Sequence, residues 1–342
     1  MKIANTNIPK ILWIYWQQGW DCAPDIVKAC LNTWRNRNPN WEIIALDDTN
    51  LKNYIDINQI HTLLSNKVVE PEAFSDILRA ALLSKHGGVW ADSTTFCVVR
   101  LDNWLSPYVN NNFFAFSNPG KDRLISSWFI ASEPNGYIIN KWWSAVFEYW
   151  KEHHNRHHYF WFHYLFNDLY SSDKEFKNIW DACPKLSANG PHRFTPYSSL
   201  YEEVKADDIT AINSRKFPIF KLTHKLDTSL IKSDSLYDYL VRESYRVPNN
   251  GYFPNKSSLT MNLEQKFRKA ITALPENEKL IAYECYTQSS SDLVDTSFES
   301  KENFIIVFQN GSMINFPKPL PLIKYSHIAY GYEQWLGNPP RN

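Results

Sequence analysis

Apolar residues in the first hundred positions alternate between two textures. Ile8 to Tyr15 (IPKILWIY) is β-branched, aromatic and nearly continuous in apolar character, as in a strand covered on both faces, and 41–46 (WEIIAL) reads as a second strand ending in Asp47-Asp48. Between them, residues 24–37 open with Pro and Asp and space Ile26, Val27, Cys30, Leu31 and Trp34 at helical intervals, and Asn38-Pro39 stops the helix. Strand, helix, strand in so short a span is a βαβ unit, which implies a parallel sheet. The pattern then repeats. Pro71 and Glu72 open a helix with Phe74, Ile77, Leu78, Ala81 and Leu82 on one face; Gly87-Gly88 ends it, and Val89 to Ala91 is the next strand.

Further on, 111–117 (NNFFAFS) and 126–132 (SSWFIAS) read as strands, 137–154 as an amphipathic helix rich in Trp, and 217–225 (FPIFKLTHK) as a last strand. Polar 247–258 (VPNNGYFPNKSS) marks a boundary. The expected organisation is a main α/β domain over 1–250 and a small α+β region over 251–342, with helices at 260–274 and 326–336 and strands near 279–286, 303–308 and 312–316.

Charge narrows the partners. Lys+Arg and Asp+Glu both number 36, so no global field favours nucleic acid or an anionic membrane. The apolar run near the N-terminus is broken by Gln17 and Gln18, too short and polar for a span, and five scattered cysteines without a CxxC pair fit neither a disulfide framework nor a zinc knuckle. A cytoplasmic protein without a transmembrane segment is expected. Aromatic residues make up 15% of the chain, enough for stacking surfaces against flat or sugar-like ligands, although most such rings belong to cores.

In an open α/β sheet, ligands bind outside the carboxyl ends of the strands, and Asp92 stands at such an end. On the preceding helix Asp76 and Arg79 are three residues apart and share a face. Each feature has an ordinary explanation. Asp76 and Arg79 read equally as an exposed ion pair worth a few tenths of a kcal/mol, Asp92 as a turn cap, and Gly87-Gly88 as a helix stop. The run HHNRHHYFWFH (153–163) holds five of the ten histidines; a helix would pair His153 with His157 and His154 with His158, yet no carboxylate stands between them as in HExxH. It reads as a solvated helix end, an acceptor-binding wall or a metal site. His163, among large apolar groups and followed by Asp168, reads as a buried hydrogen-bonded imidazole or an acceptor-pocket residue. Trp142 and Trp143 read as core. GxGxxG, GxxxxGK[ST] and GxSxG are absent.

The whole string FSDILRAALLSKHGGVWADST (74–94) resembles the signature of family 32 glycosyltransferases of the GT-A fold, which include capsular polysaccharide synthesis proteins, and is shared by sugar-transferring bacterial toxins. IPKILWIYW resembles the family's opening strand, with Trp16 at the position that stacks on the nucleotide base, and KLTHK (221–225) resembles its late motif. The resemblance covers roughly residues 8–230 and implies a Rossmann-like nucleotide-sugar domain with a mostly parallel central sheet. It implies transfer, with retained anomeric configuration, from a UDP-sugar to an acceptor hydroxyl in capsular or other surface polysaccharide synthesis. Asp76, Arg79 and Asp92 would hold the donor sugar, with Trp16, Thr94, Lys221 and Lys225 completing the donor site. One departure matters. Where the fuller motif has a second carboxylate that binds Mn²⁺, this chain has Thr94, a neutral and weaker ligand. A divalent cation would then rest on Asp92, His224 and the donor diphosphate, or Lys221, Lys225 and Arg79 would replace it. The acceptor would be a saccharide, free or lipid-linked, with the protein peripheral at the inner membrane face in the second case. Two alternatives stay open: a non-catalytic carbohydrate-binding or pseudo-transferase module, and a host-directed glycosylating toxin.

Overall fold

The computed structural model describes residues 7–245 and, beyond them, four strands. The chain divides into two compact units between Ser244 and Tyr245. In the first, β1 (Ile11–Tyr15), α1 (Asp25–Arg37) and β2 (Glu42–Leu46) form the expected βαβ unit. Then come α2 (Ile57–Leu64), α3 (Pro71–His86), β3 (Gly88–Ala91), β4 (Thr95–Cys97), α4 (Leu101–Trp104), β5 (Phe113–Gly120) and β6 (Arg123–Ser132). Helices α5 (Tyr137–Glu152), α6 (Trp161–Ser172), α7 (Lys174–Ala182) and α8 (Ala206–Asn213), strand β7 (Ile219–Lys221) and helix α9 (Leu236–Glu243) complete the unit.

The central sheet has the order β2-β1-β3-β6-β5. β1 pairs in parallel with β2 and β3, β6 runs antiparallel to β3, and β5 antiparallel to β6. Four of its five strands therefore point the same way, so the sheet is mostly parallel as expected. Alternate residues serve two faces. Trp13, Tyr15 and Trp90 join α3, α5, α6 and α7 in one apolar cluster, while Leu12, Ile14, Val89 and Ala91 join α1 and α4 in another. Coverage on both sides is why these strands lack polar alternation.

The α3–β3 junction sets how β3 enters the sheet beside β1. Pro71 occupies the first turn of α3, where a missing N–H costs nothing, and Gly87 (φ 65°) stops the helix with its N–H on the Leu83 carbonyl. Gly88 has φ 91°, and a Cβ there would lie 2.6 Å from the Ile11 carbonyl oxygen. Only glycine lets β3 pack this closely on β1. A second, two-stranded ladder joins β4 to β7 with Thr95 opposite Lys221; the sequence pattern does not reveal β4.

In the second unit β8 (Ile281–Tyr283), β9 (Val294–Glu299), β10 (Asn303–Phe308) and β11 (Met313–Pro317) form an antiparallel sheet of order β11-β10-β9-β8. The helices expected at 260–274 and 326–336 and the boundary at 247–258 lie outside the described residues. Among the described residues, no helix is long and apolar enough to cross a membrane.

Candidate active site

Asp92 follows β3 directly, its N–H bonded to the Trp128 carbonyl of β6 (2.9 Å). Its carboxylate is the hub of a charged cluster. Oδ1 accepts from Arg79 Nη2 at 2.7 Å and from the Trp90 indole at 3.0 Å, and Oδ2 lies 3.6 Å from Lys221 Nζ. Arg79 also donates to Asp76, and to Ser75 Oγ at 3.2 Å. The helix interval predicts that Asp76 and Arg79 share a face, and they do; the bland alternative, an exposed ion pair, is not what the structure contains. α3 is buried from Asp76 through Ser84, leaving Asp76 7% and Arg79 4% exposed. At that depth, removing one partner costs about 3–5 kcal/mol, against the few tenths of an exposed pair.

The environment splits the two carboxyls. Burial raises the Asp76 pKa to about 7; Arg79 pulls it down, and Asp92 adds to the rise. Burial opposes ionisation of Asp92 too, but Arg79 and then Lys221 outweigh it and hold that carboxyl below the usual range. The site thus keeps one firm carboxylate and one acid that titrates near neutrality.

The β4–β7 ladder brings Lys221 in from far along the chain. Its ammonium donates to Thr94 Oγ1, with a long contact (3.4 Å) to the Leu222 carbonyl, and burial lowers its pKa while Asp92 raises it. Thr94 is 5% exposed. Asp76, Arg79, Asp92, Thr94 and Lys221 are therefore assembled in one place. Trp16, Lys225 and His224 lie around them differently. Trp16, just past β1, packs its ring edge-on against His224 at 5.1 Å, and its indole N–H is buried without a partner. Lys225 donates to Glu72 (2.9 Å) at the exposed rim. Burial, with Lys225 and Lys221, lowers the His224 pKa. Among the described residues, no group of three or more His, Cys, Asp or Glu is placed to hold a metal ion.

Several contributors escaped the sequence. Trp90 reads there as a strand residue, yet its indole orients Asp92. Tyr15 donates to Asp48, which also accepts from Gln17 at 3.4 Å, and Asp48 and Gln17 line a cavity of about 290 Å³ together with Leu51, Ile57, His61 and Phe74. The carboxylate pair Asp47-Asp48 after a strand was a signal available for it. β6, which passes Asp92 at Trp128, begins at the β5–β6 turn, where a cavity of about 540 Å³ is lined by Asn118, Gly120, Asp122, Arg123, Asn167 and Asn189. His163 stands between, its Nδ1 buried without a partner. Burial, Arg79 and Arg123 lower its pKa to about 3, so the ring is neutral.

The histidine run behaves otherwise. α5 ends at Glu152, so no helix runs through these residues; the His153 and His157 rings nevertheless meet edge-on at 4.4 Å. His153 caps α5 by a 2.8 Å bond to the Tyr149 carbonyl, and His154, His157 and His158 are exposed. Trp142 is fully buried, as expected, and Trp143 packs against the same cluster.

These features define an α/β domain with a buried acid–cation cluster at the carboxyl edge of its sheet. The chain belongs to the family of capsular polysaccharide synthesis proteins, which it matches over residues 1–240. It is similar to the O-glycosyltransferase PaGT of Phomopsis amygdali, 25% identical over 165 residues; the match takes in 43% of this chain and spans 40% of the length of that relative. Among solved structures it is similar to the PaToxG glycosyltransferase (TM-score 0.36, 15% identity, 60% of this chain and 84% of that one). It is also similar to the bifunctional glycosyltransferase WbbM (TM-score 0.42, 10% identity, 72% and 51%).

Proposed function

We propose that the chain is a retaining GT-A glycosyltransferase that moves a sugar from a nucleotide-sugar donor, a UDP-sugar in the first instance, to an acceptor hydroxyl in surface polysaccharide assembly. The observation that carries this is the Arg79–Asp92 pair, 2.7 Å apart at the carboxyl end of β3 and flanked by Asp76 and Lys221. Carboxylates accept sugar hydroxyls in pairs, and a guanidinium donates a planar fork. Arg79 Nε is buried without a partner, a donor that a ligand oxygen would satisfy.

In this reading Trp16 takes the base, and the cavity beside Asp48 the rest of the nucleoside. Lys221 faces the diphosphate, while Asp76, Arg79 and Asp92 hold the sugar. The cavity at the β5–β6 turn, with its amides, Asp122 and Arg123, suits the hydroxyl-rich acceptor. No side chain is needed as a nucleophile. The acceptor oxygen attacks C1 on the face the diphosphate leaves, and the departing phosphate oxygen takes its proton; alignment and charge stabilisation carry the rate. A lipid-linked acceptor would bring the protein to the inner face of the membrane from the cytoplasm.

The test is a panel of nucleotide sugars assayed with a saccharide acceptor, scored by released nucleoside diphosphate, with Asp92→Asn as control. Turnover lost in the variant is the expected result. Equal turnover in both overturns the site; glycan binding without consumption of any donor favours a binding module.

A further inference from the structure

Thr94 stands where a second metal-binding carboxylate would complete an Asp-x-Asp pair, and the space between Asp92 and Thr94 holds a side chain. Lys221 Nζ donates to Thr94 Oγ1 and lies 3.6 Å from Asp92 Oδ2. The other oxygen of Asp92 is engaged by Arg79 at 2.7 Å and Trp90 at 3.0 Å. A divalent ion of the Mn²⁺ type draws on several oxygen ligands. Here it would find one carboxylate oxygen and a hydroxyl, both already facing an ammonium. His224, the remaining ligand the sequence offers, is turned against Trp16 at 5.1 Å. Inserting a dication would also place it beside two cations, Lys221 and Arg79. The residues present do not fit a divalent metal.

We propose that Lys221 is the site's built-in cation: its ammonium, fixed on Thr94 and Asp92, neutralises the donor diphosphate, and donor binding is independent of divalent metal. The inference rests on the donor-site reading above and deepens it. Lys221 is suited to the task because its contacts to Asp92 Oδ2 and the Leu222 carbonyl are long, 3.6 and 3.4 Å, which leaves N–H donors for phosphate oxygens. Thr94 then has a reason to be neutral. A second aspartate would bind Lys221 strongly and turn it from the phosphate. In the reaction the C1–O bond breaks with its electron pair passing to the β-phosphate oxygen, beside which Lys221 balances the new charge. The bond from acceptor oxygen to C1 forms, and the acceptor proton goes to the same diphosphate.

Binding of UDP, GDP and dTDP to the full chain, measured by calorimetry in excess EDTA and in Mn²⁺, decides it. The expected result is a diphosphate whose Kd shifts by less than about twofold between the two conditions. Lys221→Ala should weaken it about 100-fold or more in either, and Lys221→Arg should recover most of the loss. In Lys221→Ala/Thr94→Asp, binding should return only with Mn²⁺, whose electron paramagnetic resonance signal should show it bound to protein. Circular dichroism checks the fold of each variant, and the EDTA comparison on the wild type needs no variant. Wild-type binding that vanishes in EDTA and returns with Mn²⁺ overturns the inference and leaves the donor site standing, as does Lys221→Ala binding like the wild type. Failure of every diphosphate to bind in both conditions overturns the donor-site reading and this inference with it.

Discussion

Two regions of this molecule are dense in titratable groups, and the fold treats them in opposite ways. Asp76, Arg79, Asp92 and Lys221 come from α3, the end of β3 and β7, yet converge with side-chain exposures of 24% or less. The histidines from His153 to His158 are neighbours in the chain, and all but His153 lie exposed on a loop after α5, their ring contacts being with other residues of the local surface. Local density is therefore a poor guide to a site. Charges gathered by the carboxyl edge of a sheet and shielded from water interact several-fold more strongly than the same charges in solvent, and they alter one another's ionisation.

The largest effect should come from removing the hub. Asp92→Asn should lower transfer and donor hydrolysis about 10³-fold or more, because it leaves Arg79 and Lys221 facing a neutral amide. Nucleoside diphosphate release measures this, and a change under tenfold breaks the comparison. Gly88→Ala tests how the cluster is positioned. With φ at 91° and the new Cβ 2.6 Å from the Ile11 carbonyl oxygen, the variant should lose about 2–4 kcal/mol in urea unfolding. A loss under 0.5 kcal/mol would mean that the β1–β3 packing is looser than described.

A smaller and more specific effect concerns pH. The unfolded Asp76 carboxyl ionises near 3.8 and the folded one near 7, so the folded state holds the proton more tightly. That contribution to stability is complete below the unfolded value and is lost as pH rises through the folded one. Compared with wild type, Asp76→Asn should remove a decline of up to about 1.4 kcal/mol per pH unit between the two values. Urea midpoints at pH 5 and pH 8 in both proteins read this out; parallel pH profiles would show that Asp76 is not the group. The smallest effect should follow from replacing His154, His157 and His158 together by alanine. Stability should stay within about 0.5 kcal/mol per residue and turnover unchanged, as for exposed side chains outside the charged cluster. A loss of activity, or Mn²⁺ bound by the run in the wild type, would return the histidines to the functional account.

Much of the framework is legible from local signals. Continuous apolar strands, the Pro71 start and the glycine stop place β1, α1, β2, α3 and β3 within a few residues, because helix ends and buried strands carry their chemistry in neighbouring positions. Strand β4 is short, and α6 through α9 lack equally clean signals, so the latter half reads less well. The aspartate at the end of β3 and the Asp76–Arg79 interval are equally local, and the sequence by itself determined both.

Burial and convergence were decided by tertiary structure. Helical spacing cannot tell an exposed ion pair from one enclosed beneath α5 and α6, since the difference lies in what packs on the helix. Nor can it show that the β4–β7 ladder seats Lys221 between Asp92 and Thr94. That contact joins residues more than a hundred positions apart, and its strength depends on the water excluded around it, a property of the packed molecule and of no segment alone.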